Sequence, residues 1–141
     1  MNLPDVNVLI YAYRPDAAFH PLCRPWLEAS IQSNAKFALS RLILSAVVRI
    51  LTNRKVYKPP ETLDEVFGYC DHLLSCPNVV QIEPGPGHWQ IFEDLCRKHT
   101  LTGADVSDAW HAALAIEHGC QWVTLDRGFS RFKGLRWHLL K

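Results

Sequence analysis

The stretch MNLPDVNVLIYAYR, residues 1–14, places a single carboxylate between two apolar segments. Leu3 marks a very short strand that Pro4 ends, because proline has no N–H to donate to a β-ladder. The apolar residues of 6–13 recur with the spacing of one helix face, which predicts a short helix. Asp5 therefore lies where a first strand passes directly into a first helix, and this junction is the first sign of an α/β fold.

Short apolar strands and longer helices alternate along the rest of the chain. Helices are predicted over residues 19–33, 41–53, 62–75, 88–99 and 106–118, and strands over 36–39, 79–82, 121–124 and 135–139. Ser40 precedes one helix as a candidate cap, and Thr62 opens another with Glu65 as its capping-box partner. This alternation predicts a parallel sheet that is wrapped by helices on both faces.

Length, composition and charge predict one globular domain over residues 1–141. Hydrophobic residues make up 48% of the chain and charged residues 21%, and the net charge of +1 identifies no partner. Ten of the fifteen Lys and Arg nevertheless lie in two stretches without acids, 41–58 and 127–141. Such patches suit a polyanion, although solvated helix faces and a basic tail explain them equally well.

The cysteines and the N-terminal sequence indicate the cellular compartment in which the protein is expected. The five cysteines form no CxxC pair, which favours reduced thiols over a disulfide framework or a zinc site. No basic segment leads into an apolar signal region, and no apolar run approaches the ~18 residues of a membrane helix. We therefore expect a cytoplasmic protein that has no membrane partner.

Three acids occupy strand ends or helix starts. Asp5 follows the first strand, Asp126 follows the strand over 121–124, and Asp108 begins the helix SDAWHAALAIEHG. Each also has a structural explanation: Asp5 can cap a helix and Asp126 can shape a turn. Asp108 can belong to a cap led by Asp105 or favour the helix dipole. In a wrapped parallel sheet, however, the functional crevice lies outside the carboxyl ends of the strands, so one shared site accounts for all three placements.

Three carboxylates that converge in such a crevice repel one another unless some are protonated or a cation lies between them. Carboxylate oxygens without Cys or His at ligand spacing select Mg²⁺, with Mn²⁺ as the alternative ion. A site of this kind can activate water and stabilise charge on a phosphodiester. The acids therefore predict metal-dependent chemistry on a phosphate.

Three blocks of sequence resemble a known family: LPDVNVLIYA at 3–12, SDAWHAALAIEHG at 107–119 and WVTLDRGFSRFKGLRW at 122–137. Together they resemble PIN-domain ribonucleases, and most nearly the VapC toxins of type II toxin–antitoxin systems. The resemblance implies a single PIN domain, built as a three-layer α/β/α sandwich with a parallel sheet of about five strands. It also implies a Mg²⁺-dependent endoribonuclease that cleaves RNA, is inhibited by a VapB-like antitoxin and forms a homodimer.

The resemblance also assigns roles to individual residues. Asp5 matches the first metal-binding and catalytic aspartate, Asp108 the second, and Asp126 the last acid, which supports the metal or its water. Asn7 matches a residue that is expected to orient Asp5 by hydrogen bonding. Thr124 matches a small hydroxyl residue that often precedes the last acid.

One position departs from the family pattern. The family usually has a glutamate early in its third helix, but LSRLILSAVVRIL at 39–51 has Ser45 or Ala46 at that place. The predicted site therefore has three carboxylates and not four, which makes a second metal ion less expected. Ser45 is a candidate for supporting a metal-bound water.

The expected reaction is attack by a metal-activated water on tRNA or rRNA, which leaves a 5′-phosphate. Arg41, Arg49 and Arg127 are candidates for RNA phosphate contacts. Two alternatives stay open: a catalytically weak PIN-like module that acts through a protein partner, and an aspartyl-nucleophile phosphatase. The phosphatase generally needs a second acid two residues after the first, where this chain has Asn7.

Other polar and aromatic residues are given packing roles. His111 lies three residues after Asp108 on the same helix face, and we expect it to pack or to support the site. The five tryptophans are expected in the core or in interfaces, because no exposed aromatic cluster is evident from the sequence.

Overall fold

A computed structural model describes all residues, 1–141, and contains one five-stranded sheet. The strands are β1 (Asn2–Pro4), β2 (Phe37–Ser40), β3 (Val79–Ile82), β4 (Gln121–Thr124) and β5 (Trp137–Leu139). Their order in the sheet is β3-β2-β1-β4-β5, and every neighbouring pair is parallel. The first strand of the chain is thus the central strand of the sheet.

Six helices and one short 3-10 turn connect the strands. The helices are α1 (Val6–Tyr13), α2 (His20–Gln32), α3 (Arg41–Leu51), α4 (Leu63–Ser75), α5 (His88–His99) and α6 (Ala104–His118), and the 3-10 turn is Arg127–Arg131. Helices cover both faces of the sheet, which gives the predicted three-layer α/β/α sandwich. No helix combines the length and hydropathy that a membrane crossing requires.

The core follows from burial of both sheet faces. All four residues of β2 are buried, as expected for a strand covered on both sides. Small residues on α6, among them Ala109, Ala112 and Ala113, are fully buried and let this helix lie close to its neighbours. All five cysteines are unpaired, and Cys23, Cys70 and Cys120 are buried.

The predicted helices and strands appear within two residues of their expected ends, and the shift at the start of the last helix changes the place of Asp108. This helix begins at Ala104 and not at Val106, so Asp108 lies in its second turn and does not begin it. The alternative in which Asp105 leads a cap is excluded, because Gly103 with φ +60° occupies the cap position. A positive φ suits glycine, which lets the chain turn sharply into the helix.

Candidate active site

Asp5 is held at the carboxyl end of the central strand. Its backbone N–H donates to the carbonyl oxygen of Val123 at 2.8 Å, which continues the pairing of β1 with β4. It is also the N-cap of α1, because its Oδ1 accepts a hydrogen bond from Val6 N at 2.7 Å. The cap role and the strand-end role therefore coexist in one residue.

The second carboxylate oxygen of Asp5 is fixed by Thr124. Thr124 Oγ1 donates to Asp5 Oδ2 at 2.7 Å and accepts from Asp126 N at 3.0 Å. Thr124 is fully buried at the end of β4. This relay joins the ends of two neighbouring strands and sets the direction of the Asp5 carboxylate.

Asp5 lies in an environment that disfavours its charge. The pKa of Asp5 is raised to about 6, chiefly by burial; the hydrogen bonds from Thr124 and Val6 lower it, and the nearby charges of Asp108 and Asp126 raise it. Burial also raises the pKa of Asp108. The site therefore concentrates negative charge that a bound cation would relieve.

Asp108 reaches the same cleft from α6. Asp5 and Asp108 line a cleft of about 250 Å³, together with Ser45 and Ala46 of α3. The position of Ser45 and Ala46 confirms that the helix that faces the two acids supplies no carboxylate. Ser45 Oγ donates to the carbonyl oxygen of Leu42 at 2.8 Å, so its proton is used within its own helix.

Arg131 contacts Asp108, which the sequence did not reveal. Its Nη2 lies 3.0 Å from Asp108 Oδ2 and 3.6 Å from Asp105 Oδ1, and its Nη1 donates to the carbonyl oxygen of Gly128 at 2.6 Å. The guanidinium also lies over the ring of Phe132, 4.4 Å from its centroid. These contacts place a fixed positive charge beside the second acid.

Asp126 shapes a turn, which is the structural explanation that the sequence offered for this acid. Its Oδ1 accepts a hydrogen bond from Gly128 N at 2.7 Å and caps the 3-10 turn, and its side chain is exposed. It is close enough to raise the pKa of both Asp5 and Asp108, but it does not line their cleft. The structure thus brings two of the three acids together and places the third beside them.

No hydrogen bond joins Asn7 to Asp5 in this structure. Asn7 is exposed on α1, and the hydrogen bonds to Asp5 come from Val6 and Thr124. The helix that begins at Val6 turns the next side chain outward. The supporting role assigned to the hydroxyl of Thr124, in contrast, corresponds to a specific hydrogen bond.

The three candidate arginines have different surroundings. Arg49 is exposed and lines the cleft of the two acids. Arg41 is exposed but forms an ion pair with Glu83. Arg127 is exposed at the start of the 3-10 turn, next to Asp126. Of the three, Arg49 has the position best suited to a phosphate in the cleft.

His111 packs within the protein while lining the cleft. Its ring stacks on Trp122 with centroids 5.6 Å apart, and its Nδ1 is buried without a hydrogen-bond partner. Burial lowers the pKa of His111 to about 4, so the ring is neutral near pH 7. The stacking agrees with the packing role expected from the sequence.

Trp89 lies outside the core, in an aromatic cluster that is not evident from the sequence. Trp89 is 63% exposed, and it packs against Phe92 and Trp110 with ring centroids 5.5 and 6.5 Å away. His88 completes the cluster, 4.3 Å from the ring of Trp110. The cluster forms between α5 and α6, so its residues are distant in sequence.

The donor chemistry of the cleft fits a hard divalent cation. Asp5 and Asp108 offer carboxylate oxygens, which Mg²⁺ and Mn²⁺ prefer, and no thiolate competes there. The structure contains no group of three or more His, Cys, Asp or Glu side chains that could by themselves coordinate a metal ion. Magnesium does not require one, because it usually keeps several waters and binds one or two protein carboxylates.

Comparisons of the sequence with known proteins agree with one another. The PIN domain family matches residues 3–135. VapC ribonuclease Mb2897 from Mycobacterium bovis is 37% identical over 133 residues, which cover 94% of this chain and 90% of that protein. Ribonuclease VapC31 from Mycobacterium tuberculosis is 33% identical over 136 residues, which cover 96% of each.

Solved structures share the fold at lower identity. VapBC2 from Rickettsia felis, bound to a fragment of promoter DNA, matches with a TM-score of 0.73 and 17% identity over 99% of this chain and 98% of that one. Mycobacterium tuberculosis VapC20, a toxin that cleaves the sarcin-ricin loop, matches with a TM-score of 0.64 and 18% identity over 96% and 99% of the two chains.

Proposed function

This chain belongs to the PIN-domain family and, within it, to the VapC ribonucleases, and we propose that it is a Mg²⁺-dependent endoribonuclease toxin whose substrate is tRNA or rRNA. The observation that carries the metal dependence is the pairing of Asp5 with Asp108 in one cleft at the carboxyl end of the sheet. The cytoplasm, where tRNA and rRNA are found, is the proposed site of action.

The Asp5 carboxylate is oriented and retains free lone pairs that can coordinate a cation. A carboxylate offers about four lone-pair sites, and the bonds from Val6 N and Thr124 Oγ1 use one on each oxygen. Each oxygen therefore keeps a free site while its direction is fixed. Mg²⁺, or Mn²⁺, would lower the pKa of an attacking water and polarise the phosphate.

Asp108 and Arg131 act as a unit beside Asp5. Asp108 supplies the second carboxylate, and Arg131 holds it in place through the contact at 3.0 Å. Arg49, at the cleft without an acidic partner, is suited to bind a phosphate of the RNA. Asp126 orders the 3-10 turn from which Arg131 extends, through its bond with Gly128.

We propose a VapB-like antitoxin and a second copy of the chain as partners. Structures of similar fold include a VapBC complex from Salmonella typhimurium and a toxin–antitoxin complex from Klebsiella pneumoniae, with TM-scores of 0.65 and 0.62. Co-expression with the neighbouring gene, followed by measurement of mass in solution, tests both partners.

The test of the function is cleavage of purified tRNA and rRNA with Mg²⁺ and with EDTA. Asp5→Asn and Asp108→Asn should abolish cleavage, and Asp71→Asn, an exposed acid on α4, is the matched control. Products should carry a 5′-phosphate. Cleavage that survives EDTA, or wild-type rates in the Asp5 variant, would remove the metal mechanism.

The same variants separate the two alternatives. Growth arrest in a bacterial host that persists with Asp108→Asn would support a module that acts only by binding. A covalent phosphate trapped on Asp5 would support the phosphatase. The exposed Asn7 stands where that enzyme class generally needs its acid, which weighs against it.

A further inference from the structure

A second cavity lies beside the cleft of Asp5 and Asp108. It has a volume of about 290 Å³ and is bounded by Ser40 at the end of β2, Ile82 at the end of β3 and Trp110 of α6. Leu42 lines both this cavity and the cleft. Because Leu42 belongs to both, the two spaces are neighbours on the same edge of the sheet.

One wall of the cavity is held rigidly. Residues Glu83 and Pro84 line it, and the loop that follows is bound to α6. Glu117 accepts hydrogen bonds from Gly85 N at 2.7 Å and from Gly87 N at 2.9 Å. A Cβ at Gly85 would lie 2.8 Å from Glu117 Oε2, so a side chain at position 85 would press on the carboxylate that holds the loop. The cavity is therefore preformed.

The lining combines an aromatic surface with a buried hydroxyl. Trp110 is half-buried and is held by His88 and Phe92, whose ring centroids lie 4.3 and 5.1 Å away. Ser40 is only 4% exposed and precedes α3, but its hydroxyl does not cap that helix. A buried hydroxyl without a capping role is available to bond a ligand.

The cavity lies at a distance from the Asp5 cleft that suits a base next to a phosphate bound in that cleft. β2 is the neighbour of β1, and adjacent strands lie about 5 Å apart, so the end of β2 lies about 5 Å from the end of β1 and the end of β3 about 10 Å. Arg49 lines the cleft without an acidic partner, whereas Arg41 lines the cavity as the partner of Glu83, so the free positive charge lies on the side of the cleft. A phosphate near Asp5 would place a neighbouring base within reach of Trp110.

We propose that this cavity binds the base of an unpaired nucleotide next to the scissile phosphate, an inference that rests on the proposed ribonuclease function. The base stacks on Trp110 and hydrogen-bonds through its polar edge to Ser40. A flat, aromatic ligand with a polar edge matches both features, and a base within a duplex cannot enter. The enzyme therefore selects cleavage sites in loops or single strands and has a preference at one base position.

The experiment measures binding of a labelled pentaribonucleotide of known sequence that the wild-type enzyme cleaves, in an Asp5→Asn background that does not cut it. Trp110→Leu should weaken binding about 5- to 150-fold, the range of one base–aromatic stacking contact. Trp110→Phe should retain most of the affinity because it keeps a ring. Ser40→Ala should weaken binding about 2- to 10-fold. Trp89→Ala, in the same aromatic cluster but outside the cavity, is the matched control.

An abasic substitution supplies the second arm. Removal of the single base next to the cleaved bond should weaken binding as Trp110→Leu does. The two changes together should reduce the affinity for RNA little more than either change alone. Full additivity, or an abasic RNA that binds as well as the intact one, would overturn the proposal. So would a Trp110→Leu variant that loses antitoxin binding or self-association while it binds RNA normally. Absence of any RNA cleavage by the wild type would instead overturn the proposed function.

Discussion

Arg131 Nη2 lies 3.0 Å from Asp108 Oδ2, so the second acid of the cleft already has a positive partner within its own chain. The guanidinium is fixed by the carbonyl oxygen of Gly128 and by the ring of Phe132, so it cannot move away freely. A divalent cation that binds Asp108 must share this carboxylate with Arg131. If the proposed metal binds here, Arg131 would therefore influence its affinity without donating to it.

Arg131→Gln should bind Mn²⁺ more tightly in the absence of RNA, by about 2- to 5-fold, because it removes a competing charge from a partly exposed pair. Isothermal titration calorimetry with Mn²⁺ measures this without reference to activity. Arg127→Gln, in the same turn but exposed, is the control. Weaker Mn²⁺ binding by the Arg131 variant would mean that positioning of Asp108 outweighs competition.

Thr124→Val should lower both the stability and the activity of the protein. The change keeps the shape but removes the hydroxyl that bonds Asp5 Oδ2 and Asp126 N. The loss of stability should be about 1–3 kcal/mol, measured by urea unfolding, because it leaves buried polar groups without partners. Thr124→Ser keeps the hydroxyl and should recover most of the activity. Equal defects in both variants would point to lost packing and not to the hydrogen bonds.

Glu117→Gln should reduce stability more at pH 7 than at acid pH. Burial raises the pKa of Glu117, but the hydrogen bonds from Gly85 and Gly87 lower it more, so the net pKa is below its usual 4.5. The ionised form therefore stabilises the fold above about pH 4.5, and this stabilisation is lost as the pH falls through the folded-state pKa.

Urea unfolding at pH 7 should show a loss of about 1–3 kcal/mol for this variant, as expected for charge-assisted hydrogen bonds, and a smaller loss at low pH. Glu93→Gln is the control, because Glu93 forms an exposed pair with Arg97 that contributes little. A loss that is independent of pH would show that the charge of Glu117 is not what holds the loop.

Arg49→Gln should weaken RNA binding and make it less sensitive to salt. Each phosphate contact that is lost should reduce the slope of log affinity against log salt by about 0.7 for single-stranded RNA. Binding to the Asp5→Asn protein at several salt concentrations measures this slope. Arg54→Gln, exposed in the segment after α3, is the control. An unchanged slope would place Arg49 away from the RNA.

Local patterns predicted the elements well, because they depend on neighbours in sequence. The helix over 6–13, the strand over 79–82 and the helix over 88–99 appear with the predicted bounds. The start of α6 was placed too late because Gly103 resembles a break in the sequence. Its positive φ instead begins the helix.

The site was predicted less completely, because its contacts depend on how distant elements meet. The placement of Asp5 and Asp108 in one cleft followed from strand ends and from the family resemblance. The pairing of Arg131 with Asp108 depends on a 3-10 turn that folds back on α6, and no local signal marks it. The exposed position of Asn7 was not predicted, because spacing alone does not say which side of α1 it occupies.

The hydrogen bond from Thr124 to Asp5 joins residues that are 119 positions apart. Since β1 is the central strand and pairs with β4 along its full length, its place in the sheet is complete only when residues 121–124 are available. A polypeptide still emerging from the ribosome therefore has no assembled cleavage centre, although its first acid was among the earliest residues made. Most of the chain must therefore be synthesised before the two strand ends that hold the Asp5 carboxylate can meet.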